Sequence, residues 1–134
     1  TTEKGRLQLL ESDRFTILDD SYNANPHSMK AAIDTLQSFS GEKIAVLGSM
    51  AELGANSREL HQEIGEYANQ AGLDKLYTIG EHSKHYNGEL FPDIESLYIQ
   101  LNECHSGATI LIKGSRMMNL DELVEILLKT SISS

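Results

Sequence analysis

The stretch Ile44-Ala45-Val46-Leu47-Gly48 decides the fold. Four apolar residues in a row show no alternation, so a strand here is buried on both faces, as in a parallel sheet, and Gly48 closes it. The same shape recurs at Leu76 to Ile79, closed by Gly80, and at Thr109 to Ile112, followed by Lys113 and Gly114. Upstream, the short apolar runs Arg6 to Leu10 and Phe15 to Leu18 flank the polar turn Glu11-Ser12-Asp13, which predicts a hairpin. A further short strand is expected at Glu89 to Phe91.

Helical periodicity fills the intervals. Asn25 and Pro26 suit the cap and first position of a helix carrying Met29, Ala32, Ile33 and Leu36 on one face. A second helix shows Leu60, Ile64, Tyr67, Ala68 and Ala71, with Gly72 as its stop and Gly54 to Ser57 as a loop before it. A third carries Ile94, Leu97, Tyr98 and Leu101. The last carries Leu120, Leu123, Val124, Leu127 and Leu128, with Asn119 and Glu122 placed as a capping box and a polar, frayed tail from Thr130 to Ser134. Strands alternating with helices predict an α/β, Rossmann-like three-layer sandwich: a mostly parallel sheet, helices on both faces, and an N-terminal hairpin. One domain is expected over residues 1–134.

Composition narrows the function classes. With 20 acidic and 11 basic residues the formal charge is −9, which disfavours a phosphate-backbone partner and hence nucleic acid. The single cysteine, Cys104, forms no internal disulfide and fits a reducing, cytoplasmic compartment. No apolar run approaches membrane-spanning length.

In such folds ligands gather at the C-terminal ends of the strands. Four loops lie there: Asp19 to Pro26, Gly48 to Ser57, Gly80 to Ser83 and Gly114 to Met118. The first holds two adjacent carboxylates, two asparagines and a helix N-terminus, groups suited to hydroxyls, a cation or an anion. An ordinary reading is a helix entry, with Asn25 as cap and Tyr22 packing. The last loop, Lys113-Gly114-Ser115-Arg116, suits a carboxylate or phosphate. The ordinary reading there is a solvated turn with Lys113 paired to Asp19 or Asp20. The second loop is glycine-rich, yet the chain contains neither a P-loop nor a GxGxxG fingerprint, and Met50 and Leu53 read as packing residues. His82 and His85 lie three apart without a third ligand, so no metal site is expected. Cys104 lacks a base beside it.

The block Asp20-Ser21-Tyr22-Asn23-Ala24-Asn25-Pro26-His27-Ser28-Met29 resembles the signature that opens the C-terminal domain of the Mur ligases. Val46 to Gly54, followed by Ser57, His61 and Ile64-Gly65, is similar to that family's second block, and Ile110 to Arg116 to its third. Ser49 departs from the aspartate of the family's Gly-Asp-Met. The resemblance runs from Gly5-Arg6 to the final helix, and is greatest to the D-alanyl-D-alanine-adding branch. It implies a three-domain enzyme of bacterial peptidoglycan synthesis. The first domain holds UDP-N-acetylmuramoyl-tripeptide. A central domain carries the P-loop, ATP and Mg2+. A C-terminal domain closes over ATP with the incoming D-alanyl-D-alanine, and amide formation runs through an acyl phosphate. It further implies nucleotide contacts for Arg6, Asp20, Tyr22, Asn23 and Asn25, and dipeptide contacts for Lys113, Ser115 and Arg116. No catalytic nucleophile and no metal ligand is expected in this chain, and the isolated domain is expected to be inactive.

Two other classes compete. A phospho-receiver-like signalling domain also carries an acidic pair and a distant lysine, but Gly48-Ser49 stands where its phospho-accepting aspartate belongs. A free-standing interaction module is the third.

Overall fold

The computed structural model describes residues 7–129. Among them six strands form one sheet: β1 (Gln8–Glu11), β2 (Thr16–Asp20), β3 (Lys43–Gly48), β4 (Lys75–Ile79), β5 (Glu89–Phe91) and β6 (Thr109–Lys113). The order across the sheet is β1-β2-β6-β3-β4-β5. Only the hairpin pair β1–β2 is antiparallel; the other four pairings are parallel. Four helices cover the sheet: α1 (Pro26–Gln37), α2 (Ser57–Gln70), α3 (Ile94–Leu101) and α4 (Asp121–Lys129).

The two faces follow from strand alternation. Ile44, Val46, Ile110 and Ile112 point into one core with Leu97 and Leu101 of α3 and Leu123 and Leu127 of α4. Ala45, Leu47 and Leu111 point into the other, with Ile33 and Leu36 of α1 and Ile64 and Ala68 of α2. Right-handed crossovers explain the split: β2-α1-β3 and β3-α2-β4 progress in one direction, whereas α3 leads the chain back to β6 and lies on the opposite face. Because β6 is inserted between β2 and β3, every residue of it is buried.

The hairpin, the strand at Glu89–Phe91 and all four helices lie where sequence pattern puts them. Three details differ. The loop at Gly54–Asn56 is a 3-10 turn running directly into α2. The expected face of α2 packs on the core, with Ile64 and Ala68 fully buried and Leu60, Tyr67 and Ala71 partly so, and His61 and Gly65 join the fully buried stripe. A Cβ at Gly65 would overlap the Tyr86 carbonyl, so the small residue faces inward there. Tyr67 sits at the margin and donates to Asp34 Oδ1 at 2.5 Å. Finally, Asn119 does not cap α4. It is left-handed (φ 54°), ends the 3-10 turn Arg116–Met118, and accepts the Glu122 N–H through its backbone carbonyl. That turn directs Leu120 onto Gly48 and Gly114. The tail from Thr130 to Ser134 lies outside the described residues.

Candidate functional site

The C-terminal ends of β2, β3, β4 and β6 gather the polar groups. Asp20 and Lys113 are register partners at the last position of the β2–β6 pair. Lys113 Nζ donates to Asp20 Oδ2 at 2.7 Å and to the Asn23 carbonyl at 2.8 Å. The lysine is 1% exposed and the aspartate 8%. The ammonium therefore ties the first loop to the centre of the sheet, which is the ion pair the ordinary reading of the fourth loop anticipates. Asp19 turns inward on its own loop and accepts the Ser21 N–H.

A second link lies further out. Arg116 Nη1 donates to the Tyr22 hydroxyl at 2.9 Å, with the guanidinium 5.4 Å from the ring centroid. Both side chains are exposed. Asn25 Oδ1 accepts the Ser28 N–H at 2.8 Å while Ser28 Oγ accepts the Asn25 N–H, a reciprocal cap on α1. Asn23 is exposed, and its Oδ1 accepts the Ala24 N–H. Arg6 lies outside the described residues.

The second loop forms one wall of a cleft of about 330 Å³, lined also by Glu81, His82, Ser115, Met117 and Met118. Its root is held at every turn. Tyr86 Oη donates to the Gly48 carbonyl at 2.8 Å. Ser49 N–H donates to the Ile79 carbonyl, and the Ser115 N–H donates to the Ser49 carbonyl. Ser49 Oγ accepts the His82 N–H at 3.1 Å. The Met50 N–H donates to His61 Nε2 at 3.0 Å. Gly80, at φ +114°, leaves room for Ser49 Oγ, which a Cβ there would strike. Burial lowers the His61 pKa and raises that of Tyr86 far out of the physiological range, so both rings are neutral. Burial likewise pushes the Cys104 thiol up to about 11, which keeps it protonated and unreactive.

The family resemblance implies different ligands for the two ends of the site. The structure interleaves them: Lys113 bonds Asp20 and Asn23, and Arg116 bonds Tyr22. Ser115 belongs instead to the cleft behind Ser49. Tyr86 carries no sequence signal for its place at this edge, whereas Met117 and Met118 lie in the fourth of the loops expected there and His61 in the second block of the resemblance, without a role assigned to any of them. For His61 the signal is its place on the apolar stripe of α2, where both ring nitrogens need partners. Among the described residues, no group of three or more His, Cys, Asp or Glu converges to hold a metal.

A mostly parallel α/β sheet covered by helices is Rossmann-like, and its polar loops gather at the strand ends where such folds place ligands. The particular family follows from comparison: the model of the Mur ligase, glutamate ligase domain matches residues 5–116, and the chain belongs to that family. The chain is 40% identical over 129 residues to UDP-N-acetylmuramoyl-tripeptide–D-alanyl-D-alanine ligase of Escherichia coli strain K12, covering 90% of this chain and 28% of that protein. The enzyme of the same name from Buchnera aphidicola (subspecies Acyrthosiphon pisum) is 39% identical, with 92% and 29% covered. The crystal structure of MurF ligase from Thermotoga maritima in complex with ADP superposes with a TM-score of 0.87 at 32% identity, covering 96% of this chain and 31% of that one. The chain thus spans under a third of the length of these relatives. Family membership removes the signalling-receiver reading, and the end of β3 agrees: Ser49 stands there with its hydroxyl bonded to the His82 N–H.

Proposed function

We propose that this chain is the C-terminal domain of a longer bacterial, cytoplasmic ligase that joins D-alanyl-D-alanine to UDP-N-acetylmuramoyl-tripeptide at the expense of ATP. The observation that carries this is the 40% identity to a ligase of that name across nine-tenths of the chain. Catalysis of this kind is chiefly positioning, since an acyl phosphate and an amine must meet in a closed, dry site. The exposed Tyr22 and Asn23 suit a nucleotide contact. Asp20 shapes the same loop through its bond to Lys113 and Asn25 opens α1, while a nucleotide contact by Arg6, outside the described residues, rests on the family resemblance. The exposed Arg116, with Ser115, suits the dipeptide carboxylate. Lys113 serves that end by a different route: its ammonium is held by Asp20 and the Asn23 carbonyl, so it sets the shape of both loops.

Among the described residues no three His, Cys, Asp or Glu side chains converge, and Asp20, a buried carboxylate at the edge, is paired with a lysine. The metal and the P-loop belong to the central domain, this domain's partner in the closed enzyme. Alone, the chain is inactive. The test is ADP release by the longer protein with and without D-alanyl-D-alanine. Release that requires both the dipeptide and the tripeptide substrate supports the reading; release indifferent to the dipeptide defeats it.

A further inference from the structure

We infer that His61 is a positioning residue for the ligation: it holds the Met50 backbone, and so fixes the Met50–Glu52 wall of the cleft. The inference rests on the ligase reading for its effect on turnover, but the contact itself does not.

His61 is fully buried on α2, beside Ile64, Gly65 and Ala68. A leucine would fill such a place without the cost of desolvating an imidazole. The ring's bonds say what it does there. Nδ1 lies 2.7 Å from the Ser57 carbonyl, which can only accept, so Nδ1 carries the proton. Nε2 is then a bare lone pair, and the Met50 N–H donates to it at 3.0 Å. One tautomer of the neutral ring satisfies both partners. Tyr86, packed against the ring at 4.9 Å between centroids, grips the Gly48 carbonyl two residues earlier. Gly48 to Met50 are therefore pinned from two buried side chains, with Ser49 tied to Ile79, His82 and Ser115 between them. Beyond Met50 the chain becomes the cleft wall. Glu52, exposed there, has φ +59°, a left-handed conformation that is uncommon for glutamate. Among the described residues, the His61 bond to Met50 is the last side-chain hydrogen bond to the backbone before that residue. Being inaccessible, His61 acts on a ligand only through the loop.

The test uses the full-length ligase carrying this domain, as wild type, His61→Leu and His61→Gln. His61→Leu leaves the Met50 N–H buried and unpaired. It is expected to raise KM for D-alanyl-D-alanine roughly ten-fold, with kcat and KM for ATP within about two-fold. Gln places an amide oxygen near the position of Nε2 and is expected to restore the dipeptide KM to within about three-fold. An unchanged dipeptide KM in His61→Leu overturns the inference, as does an equal rise in both KM values. If His61→Leu fails to fold, 15N NMR of the wild type decides. A neutral ring protonated on Nδ1 with a slowly exchanging Met50 amide is expected; protonation on Nε2, or a rapidly exchanging amide, overturns it. Wild-type enzyme without dipeptide-dependent ADP release would refute the ligase reading and leave the NMR result standing.

Discussion

Replacing Lys113 by Met removes one charge from a buried pair while keeping most of the side chain's length. The Nζ–Oδ2 distance of 2.7 Å corresponds to an attraction of about 6 kcal/mol at an effective dielectric of about 20. Much of that is offset by the cost of taking both ions out of water, so the pair itself adds little net stability. Its removal by halves is another matter. Lys113→Met strands the Asp20 carboxylate, 8% exposed, and also frees the Asn23 carbonyl that the ammonium held. The expected loss is about 3–5 kcal/mol, a large part of the roughly 5–15 kcal/mol typical of a domain. Asp20→Asn should cost less, because the amide oxygen still accepts from the ammonium. The double variant strands no charge and should fall short of the summed losses by about 2 kcal/mol or more. Urea denaturation of the four proteins, read by circular dichroism, gives the cycle. Single losses below about 1 kcal/mol that simply add would refute the buried clamp.

Three other outcomes follow from the same geometry. Gly65→Ala places a Cβ on the Tyr86 carbonyl and should destabilise by about 2 kcal/mol or more, despite alanine's better helix propensity; a variant at least as stable as wild type in thermal melts would contradict that packing. Burial holds the His61 pKa below its ordinary 6.5, so the unfolded chain binds the proton more readily; stability should be constant above that value and fall as pH drops below it. His61→Gln should reduce that slope, leaving the part due to His85, whose pKa is lowered as well, whereas the Asp93 cap, whose carboxyl is lowered from 3.8 by its bonds to Ser96, acts only in more acid solution. Tyr22→Phe removes the hydroxyl that accepts from exposed Arg116; unfolding free energy should move by less than about 0.5 kcal/mol while the ligase's KM values rise, and a large stability loss would make the pair structural instead.

The legible parts of the fold are those governed by local chemistry. Ile44–Leu47 and Thr109–Ile112 announce buried strands because nothing polar interrupts them, and Asn25-Pro26 announces a helix start by its cap. Strand order is another matter: nothing local in Thr109–Ile112 says that it inserts between β2 and β3. Asn119 misleads because its cap chemistry and its tolerance of positive φ are properties of one side chain, and the turn onto Leu120 selects the second. At the site, the Lys113–Asp20 pairing was readable as an option once both strand ends were placed. The His61–Met50 bond was not, since it joins a helix face to a loop backbone and leaves no pattern in the side chains alone.

The most direct test of the whole reading is ADP release by the longer protein bearing this domain, measured with ATP, UDP-N-acetylmuramoyl-tripeptide and D-alanyl-D-alanine, each omitted in turn. Release that requires all three, and that the isolated 134-residue chain does not support, is the expected result. Activity that persists without D-alanyl-D-alanine, or that the isolated chain shows by itself, would contradict it.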